Sequence, residues 1–307
     1  MVNVLYCFDS NYNVQAAVSI YSILENFNKD INIFIVHENP SSFKKFGKKL
    51  KQHKNLKSLN VYKFENTNYD FPNLNDSHVT YATYFRMFID NYLPTNIDFL
   101  LYVDADIICL ENPENELNLI INELQSKELP LAGLTEGNRE TSTLFDTLSL
   151  KGEKYFNAGM IVIDYQKWIV ENTGNKLIDI MKKNYSNIKY WDQDVMNIYF
   201  DGNYLELSRS MNYTSSDGVN LTSDKIYFLH YAGSKKPWYL DFVLKSISSN
   251  YQIAYKNLFK NKYHVTLKFK KHEIPVMLDV IKSKEIKFTE KLKFIYGLIK
   301  TTIKKLY

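Results

Sequence analysis

The sequence has few of the residues that stabilise secreted proteins or bind dinucleotides. Two cysteines, Cys7 and Cys109, occur in 307 residues, and each falls in an apolar run that predicts a buried strand. Buried thiols without metal-ligand spacing are typical of a reducing cytosol and disfavour a redox or catalytic cysteine. No Gly-x-Gly-x-x-Gly motif follows the first predicted strand, which excludes the dinucleotide fingerprint.

Membrane-directing segments are also missing. Residues Met1 to Cys7 run directly into a predicted strand without a basic n-region or a cleavage site, so we expect no secretory signal peptide. No apolar run approaches the roughly 20 residues that span a bilayer. These features predict a cytoplasmic protein.

Charge is unevenly distributed along the chain. The net charge is +4, but residues 256–307 carry fourteen lysines, no arginine and four acids, which gives +10 there and −6 elsewhere. Apolar residues recur between these lysines at the spacing of one helix face: Ile281, Phe288, Leu292, Ile295, Ile299, Ile303 and Leu306. We therefore predict a body over residues 1–250 and a basic amphipathic helical extension over residues 251–307.

Such a helix has three common uses. It can lie on an anionic membrane surface, pack on the body of the protein or form a dimer contact, and the sequence leaves these open. Nucleic acid is a poorer partner, because the basic residues lack arginine and no recognised nucleic-acid motif accompanies them.

The most informative stretch is the apolar run from Phe99 to Leu110, interrupted once by Asp104 and Asp106. Such a run predicts a strand buried on both faces, as in a parallel sheet. Side chains two apart in an extended strand point the same way, so the two carboxylates should converge. Because unpaired buried charge is costly, manganese or magnesium is their natural partner. In the alternative, one aspartate caps a turn and the other pairs with Lys or Arg.

Polar residues near the N-terminus have two interpretations. Asp9 and Asn11 follow the first predicted strand, where ligands bind in nucleotide-binding α/β units. On local sequence alone, capping of the next helix explains them better. Arg86 lies in an otherwise apolar predicted helix and requires a partner, which can be a surface aspartate, a phosphate, or Asp104 or Asp106.

Two later stretches carry further candidates. Asn157 and Gly159 lead into an apolar strand, where the asparagine can reach a ligand and the glycine permits close backbone approach. A polar stretch over residues 136–152 predicts a mobile loop over a site. Asp192 and Asp194 flank Gln193 at the start of a predicted helix, where helix capping is again an alternative.

The last candidate stretch follows a strand that ends at His230. The turn after it contains Gly233, Lys235 and Lys236, which can offer N–H groups and positive charge to a diphosphate. A lone histidine is more often structural, but with Asp104 and Asp106 it completes a ligand set suited to manganese.

Together, these blocks resemble a known family in their order and spacing. Residues 8–12, 102–106, 156–160, 191–194 and 230–238 are similar to glycosyltransferase family eight, over about residues 1–245. That family includes glycogenin, galactinol synthase and bacterial lipopolysaccharide galactosyl- and glucosyltransferases. The resemblance implies an α/β protein of the GT-A fold, with a Rossmann-like mixed central sheet flanked by helices.

The resemblance also implies a reaction. A UDP-sugar and manganese are expected to bind, and a hexose moves to a hydroxyl of a glycan or lipid-linked acceptor with retention of anomeric configuration. The galactosyltransferases have an aspartate near residues 134–137 that contacts the donor sugar. This chain has Leu-Thr-Glu-Gly there, which leaves glucose and galactose open.

Residue roles carry over from the resemblance, position by position. The matched metal ligands are Asp104, Asp106 and His230. Contacts to the nucleotide or diphosphate match Cys7, Asp9, Asn11, Arg86, Ala105, Gly233 and Lys236. Donor-sugar contacts match Asn157 and Asp192, with Gln193 next to the anomeric carbon. Because an amide is a poor nucleophile, we expect front-face attack, with Asp192 and Asp194 stabilising positive charge on the sugar.

Two other functions are disfavoured by the sequence. A sugar nucleotidyltransferase would need a glycine-rich basic loop after the first strand, and residues 9–12 read Asp-Ser-Asn-Tyr. A non-catalytic nucleotide-sugar or glycan-binding protein would be expected to lose metal or phosphate ligands, yet all of them are present.

Overall fold

The protein is described from a computed structural model. It covers residues 1–65, 69–72, 80–140, 142–214, 225–239, 242–261 and 263–266, with residues 281–282, 288–289, 291–292, 295–296 and 299 of the tail. The chain divides into two compact units, Met1–Tyr213 with Ser223–Leu229, and Thr214–Thr222 with His230–Tyr307. The predicted functional boundary at residue 250 stays a prediction.

In the residues that the structure describes, ten strands form two sheets. In chain order they are β1 (Val2–Phe8), β2 (Ile31–His37), β3 (Leu56–Lys63), β4 (Phe99–Val103), β5 (Ile107–Cys109), β6 (Leu131–Asn138), β7 (Lys154–Asp164), β8 (Leu205–Glu206), β9 (Tyr213–Thr214) and β10 (Phe228–His230). The seven-stranded sheet has the order β3-β2-β1-β4-β7-β6-β8, and the three-stranded sheet has the order β5-β10-β9. β1 is parallel to β2 and β4, whereas β7 is antiparallel to β4 and β6. The predicted mixed α/β sheet is confirmed.

Eight α-helices accompany the strands in the described residues. They are α1 (Asn13–Asn26), α2 (Pro40–Leu50), α3 (Glu114–Lys127), α4 (Leu144–Thr147), α5 (Tyr165–Val170), α6 (Thr173–Lys183), α7 (Trp191–Phe200) and α8 (Ser249–Phe259). Four 3-10 helices span Ser10–Tyr12, Tyr81–Asn91, Arg209–Met211 and Ser246–Ser248. Helices α5 and α6 are separate, because Asn172 adopts a left-handed conformation, with φ of 55°, between them.

The run from Phe99 to Leu110 is not one strand. β4 belongs to the large sheet and β5 to the small one, and residues 104–106 form a turn between them. The Ile107 N–H donates to the carbonyl of Asp104 over 3.2 Å and closes this turn. β4 is buried, as predicted. The two aspartates are brought together by a turn, however, and not by the alternation of an extended strand.

The 3-10 helix over Tyr81–Asn91 lies in the main apolar core. Phe64 stacks on Phe85 with ring centroids 3.9 Å apart, and Phe71 stacks on Tyr84 at 4.9 Å. This helix occupies most of the stretch predicted as helical, whose first residues, 78 and 79, lie outside the described residues. Its packing holds Arg86 inside the protein. The predicted loop over residues 136–152 includes the end of β6 and the short helix α4.

The second unit has its own small core. Gln252 on α8 donates to the carbonyls of Pro237 and His264 and accepts from the His264 N–H, all within 2.9 Å. Burial lowers the pKa of His264 to about 3, so its neutral ring can accept the hydrogen bond that links it to Tyr251. These contacts tie α8 to the segment that leads up to Trp238.

The predicted tail helix is described in part. Residues 281–282, 288–289, 291–292, 295–296 and 299 are helical, whereas Ile303 and Leu306 lie outside the described residues. Among the residues that the structure describes, no helix has the length and apolar character needed to cross a membrane.

We expect Gly174→Ala to lower the free energy of unfolding by about 1–3 kcal/mol through overpacking. A Cβ at Gly174 would lie 2.6 Å from the Asp90 carboxylate and 2.7 Å from the carbonyl of Met87, both on the 3-10 helix that carries Arg86. Urea unfolding measures the change. Gly137→Ala, whose Cβ meets no atom within 4 Å, is the matched control and should stay within about 0.5 kcal/mol. Equal losses in the two variants would contradict the packing argument.

Candidate active site

The turn after β4 presents two carboxylates. The Asp104 N–H donates to the carbonyl of Gly159 over 2.8 Å, which anchors the turn to β7. The Asp104 side chain is one-third exposed, with 32% of its surface accessible, whereas Ala105 and Asp106 are buried. The turn therefore offers one open and one enclosed carboxylate next to each other.

His230 is the last residue of β10. The small sheet pairs β10 with β5, the strand that follows the turn. Two hard carboxylate oxygens and an imidazole nitrogen form a donor set that suits a divalent cation. Asp104 and Asp106 offer such oxygens from a single turn, and the role of His230 as the third ligand stays a prediction.

Arg86 is the cationic centre of this region. Its Nη2 lies 3.0 Å from Asp104 Oδ1, and its Nε lies 2.7 Å from Asp192 Oδ2. Its Nη1 donates to the carbonyl of Ala158, and its guanidinium lies 3.8 Å from the ring centroid of Tyr102. Burial opposes its charge, but these anionic and polar neighbours raise the pKa of Arg86 above its ordinary value. Of the partners considered for Arg86, Asp104 is confirmed.

Tyr102 supports the same carboxylate. Its hydroxyl donates to Asp104 Oδ1 over 2.5 Å, the oxygen that also faces Arg86. With Oδ1 held by two donors, the Asp104 carboxylate has a defined orientation in which Oδ2 is the oxygen left to face a ligand. Tyr102 stands two positions before Asp104, so the sequence held a signal for this contact.

Asp192 is buried at the start of α7. It forms an ion pair with Arg86 through Oδ2, and its Oδ1 accepts a hydrogen bond from the Thr83 hydroxyl. Burial raises the pKa of the Asp192 carboxyl to about 6, and Arg86 limits the rise. Both side-chain partners come from the 3-10 helix over Tyr81–Asn91, so Asp192 does more than cap its own helix.

Asp194 faces a different set of groups. Its Oδ2 accepts from the backbone N–H groups of Lys189 and Tyr190 over 2.7 and 2.8 Å, and its Oδ1 accepts from the Tyr155 hydroxyl over 2.5 Å. Burial raises the pKa of this carboxyl as well. Asp194 thus organises the segment that precedes α7, which is the capping role that the sequence left open.

Gln193 and Asn157 lie side by side. The Ala158 N–H donates to Gln193 Oε1 over 3.0 Å, and the Gly159 N–H donates to Asn157 Oδ1 over 3.0 Å. Both side-chain amides also donate to Glu136. Asn157 Oδ1 accepts a second hydrogen bond from the buried Asn212.

Several of these partners were not predicted as site residues. Glu136 lies in the Leu-Thr-Glu-Gly stretch that departs from the family pattern, and Tyr155 adjoins the block that contains Asn157, so the sequence held a weak signal for both. Nothing in the sequence pointed to Thr83 or Asn212.

The residues after β1 lie at the edge expected for a nucleotide site. β1 pairs with β4 in parallel, so the carboxyl ends of both strands meet at the same edge. Burial raises the pKa of the Cys7 thiol, and the charges of Arg86 and Asp104 also act on it. Asp9 Oδ1 accepts from the Asn11 N–H over 2.9 Å and caps the 3-10 helix Ser10–Tyr12. Asp9 thus caps this short helix, whereas α1, the helix that Asp9 was expected to cap, has Tyr12 at its N-cap and no side-chain cap.

The basic turn belongs to the second unit. Gly233 has φ of +74°, a left-handed conformation that glycine adopts readily, and a Cβ there would meet no atom within 4 Å. Lys236 is buried, and its ammonium donates to the carbonyl of Tyr231 over 2.8 Å.

Comparison with known sequences identifies the family. A family model described as glycosyl transferase family 8 matches residues 3–241. The chain is 30% identical over 272 residues to the lipopolysaccharide 1,2-glucosyltransferase of Escherichia coli K12, covering 83% of this chain and 78% of that protein. It is 34% identical over 169 residues to the lipopolysaccharide 1,3-galactosyltransferase of Salmonella typhimurium, covering 52% of this chain and 50% of that protein.

Comparison with solved structures identifies the fold. The crystal structure of galactosyltransferase LgtC in complex with donor and acceptor sugar analogs matches with a TM-score of 0.71 at 18% identity, covering 90% of this chain and 100% of that chain. The glycosyltransferase GlyE of Streptococcus pneumoniae TIGR4 matches with a TM-score of 0.60 at 19% identity, covering 92% of this chain and 63% of that chain. At these identities the likeness shows the fold alone, which is GT-A, as predicted.

The match over residues 3–241 confirms the resemblance seen in the sequence blocks. The chain belongs to glycosyl transferase family 8 and is a retaining hexosyltransferase that uses a UDP-sugar.

Proposed function

We propose that the enzyme transfers glucose or galactose from its UDP-sugar, with manganese, to a hydroxyl of a glycan or lipid-linked acceptor of the cell surface. The observation that carries this proposal is the Arg86 bridge, because one buried side chain links a proposed metal ligand, Asp104, to a proposed sugar contact, Asp192. The metal ion, the diphosphate and the sugar would then all bind next to the guanidinium of Arg86.

Asp104, Asp106 and His230 would hold the metal ion in this proposal. An imidazole with two carboxylates suits manganese better than magnesium, which prefers oxygen ligands. When bound, the ion supplies positive charge that stabilises the departing UDP.

The remaining nucleotide contacts are proposed from position. Cys7, Asp9, Asn11 and Ala105 stand at or after the carboxyl ends of β1 and β4, the edge at which α/β sheets bind ligands. In the basic turn, Gly233 would offer backbone N–H groups and Lys236 its ammonium to the diphosphate.

On the sugar side, Asp192 would stabilise positive charge that develops on the ring as the bond to UDP breaks. Asn157 would bind a sugar hydroxyl, and Gln193 would stand next to the anomeric carbon. Because an amide is a poor nucleophile, the acceptor hydroxyl attacks from the face that UDP leaves. Asp194, whose oxygens accept from Tyr155 and two backbone N–H groups, would act by positioning this segment.

We expect one UDP-hexose in a panel of UDP-sugars to release UDP slowly with manganese and not with a chelator. The Asp104→Asn/Asp106→Asn double variant should lose about a hundredfold or more of this rate, since it removes two charged ligands. Release of UDP from each donor is the measurement.

Asp146→Asn is the matched control for this experiment. This carboxylate is exposed on α4, with 88% of its side-chain surface accessible, so its loss should leave the rate unchanged. An equal rate of UDP release with manganese and with the chelator would refute the metal assignment. An absence of turnover and of thermal stabilisation with every UDP-sugar would refute the proposed donor.

The acceptor side is proposed from the relatives and the tail. Two similar proteins are named for transfer to lipopolysaccharide. In the tail, Phe288, Leu292, Tyr296 and Ile299 are each more than half exposed, at the spacing of one helix face. Together with the +10 charge, this face favours peripheral contact with the anionic inner face of the membrane.

Full-length protein should co-sediment with anionic vesicles, and Phe288→Ser/Leu292→Ser/Ile299→Ser should reduce the bound fraction severalfold by removing apolar side chains that enter the interface. Leu119→Ser, at an exposed apolar side chain on α3, is the control and should bind like the parent. Equal sedimentation of the triple variant and the parent would exclude the tail as the contact.

A further inference from the structure

Glu136 lies where the pairing of β6 with β7 shifts. Thr135 pairs with Phe156 and Gly137 pairs with Tyr155, so two residues of β6 oppose one residue of β7. Such a bulge bends its strand and redirects a side chain. Here the Glu136 carboxylate reaches the amides of both Asn157 and Gln193.

The partners of the Gln193 amide dictate its orientation. Glu136 Oε2 lies 3.2 Å from Gln193 Nε2 and, as a carboxylate, can only accept a hydrogen bond. On the other side, the Ala158 N–H can only donate, and it lies 3.0 Å from Gln193 Oε1. If the Gln193 amide were flipped, its oxygen would face the Glu136 carboxylate and its NH2 group would face the Ala158 N–H. Only the observed orientation therefore satisfies both partners.

Tyr155 reinforces this orientation. Its hydroxyl donates to Asp194 Oδ1 over 2.5 Å, which leaves its oxygen to accept from Gln193 Nε2 over 3.3 Å. The two Nε2 hydrogens of Gln193 are therefore used by Glu136 and Tyr155. The remaining polar capacity of this amide is the second lone pair of Oε1.

The Asn157 amide is left with a hydrogen-bond donor for a ligand, whereas Gln193 is left with an acceptor. Its Oδ1 accepts from the Gly159 N–H and from Asn212 Nδ2, each over 3.0 Å, while its Nδ2 gives one hydrogen to Glu136 over 3.1 Å. With both lone pairs of Oδ1 engaged, what Asn157 retains for a ligand is its second Nδ2 hydrogen.

We propose that Glu136 is a positioning residue that sets the polarity of the two sugar-facing amides, so that Gln193 offers an acceptor and Asn157 a donor. This inference rests on the proposed function, which puts both amides against the donor sugar. A carbonyl oxygen facing the anomeric carbon stabilises positive charge there, whereas an N–H group would oppose it.

The test uses full-length enzyme with the UDP-hexose that turns over. Glu136→Gln keeps the shape but can either donate or accept, so it no longer dictates one orientation of Gln193. We expect kcat to fall about tenfold or more with the donor KM within about twofold, because the loss is confined to the transition state. Glu136→Asp should recover part of the rate, and Glu140→Gln, an exposed acid four residues along the chain, should leave it unchanged.

A double-mutant cycle separates positioning from direct contact. If Glu136 acts through Gln193, Glu136→Gln should have little further effect on kcat in the Gln193→Ala background. A loss that remains in full there would mean that Glu136 touches the sugar itself, and the proposal would be overturned.

A readout without turnover keeps this inference separate from the proposed function. In ¹⁵N-edited NMR spectra of the enzyme without ligands, the side-chain amide signals of Gln193 and Asn157 should shift in Glu136→Gln and stay in place in Glu140→Gln. Unmoved signals would refute the role of Glu136 even if the enzyme is active. Moved signals in a protein that hydrolyses no UDP-sugar would uphold the contact and refute the proposed donor.

Discussion

The active site depends on one buried guanidinium. Arg86 contacts the turn after β4 through Asp104, the start of α7 through Asp192 and the β7 backbone through Ala158. Each contact belongs to a different element, so the position of the arginine fixes all three. Removing one partner of a buried pair typically costs about 3–5 kcal/mol, because the other charge stays buried without compensation. The 3-10 helix that carries Arg86 is accordingly packed with aromatic rings on its other sides.

A second hydrogen-bonded network joins β7 to α7. The β7 backbone is bonded to side chains of α7, with Gln193 accepting from Ala158 and Asn197 bonding both polar groups of Phe156. Asp194 holds the segment before α7 through backbone N–H groups. Asp192 and Gln193, the proposed sugar contacts of α7, therefore stand on a helix that is itself fixed to the sheet, which limits their movement.

The sequence predicted the parts of this arrangement that depend on local pattern. Apolar runs located β1, β4 and β7, and the Asp104/Asp106 pair located the candidate metal site. The turn between β4 and β5 was not predicted, because an apolar run does not reveal that its two halves pair in different sheets. The bulge at Glu136 was missed for a related reason, since the register between strands depends on contacts between distant residues. For Arg86, local sequence showed the need for a partner but could not choose among the candidates.

The Arg86 bridge has an electrostatic consequence for any anionic ligand. Two carboxylates, those of Asp104 and Asp192, share the guanidinium of Arg86 at 3.0 and 2.7 Å. An anion that approached this arginine would also meet the negative charge of both carboxylates. The positive charge of Arg86 is therefore already engaged within the protein, and an anionic group entering here would need positive charge from another source.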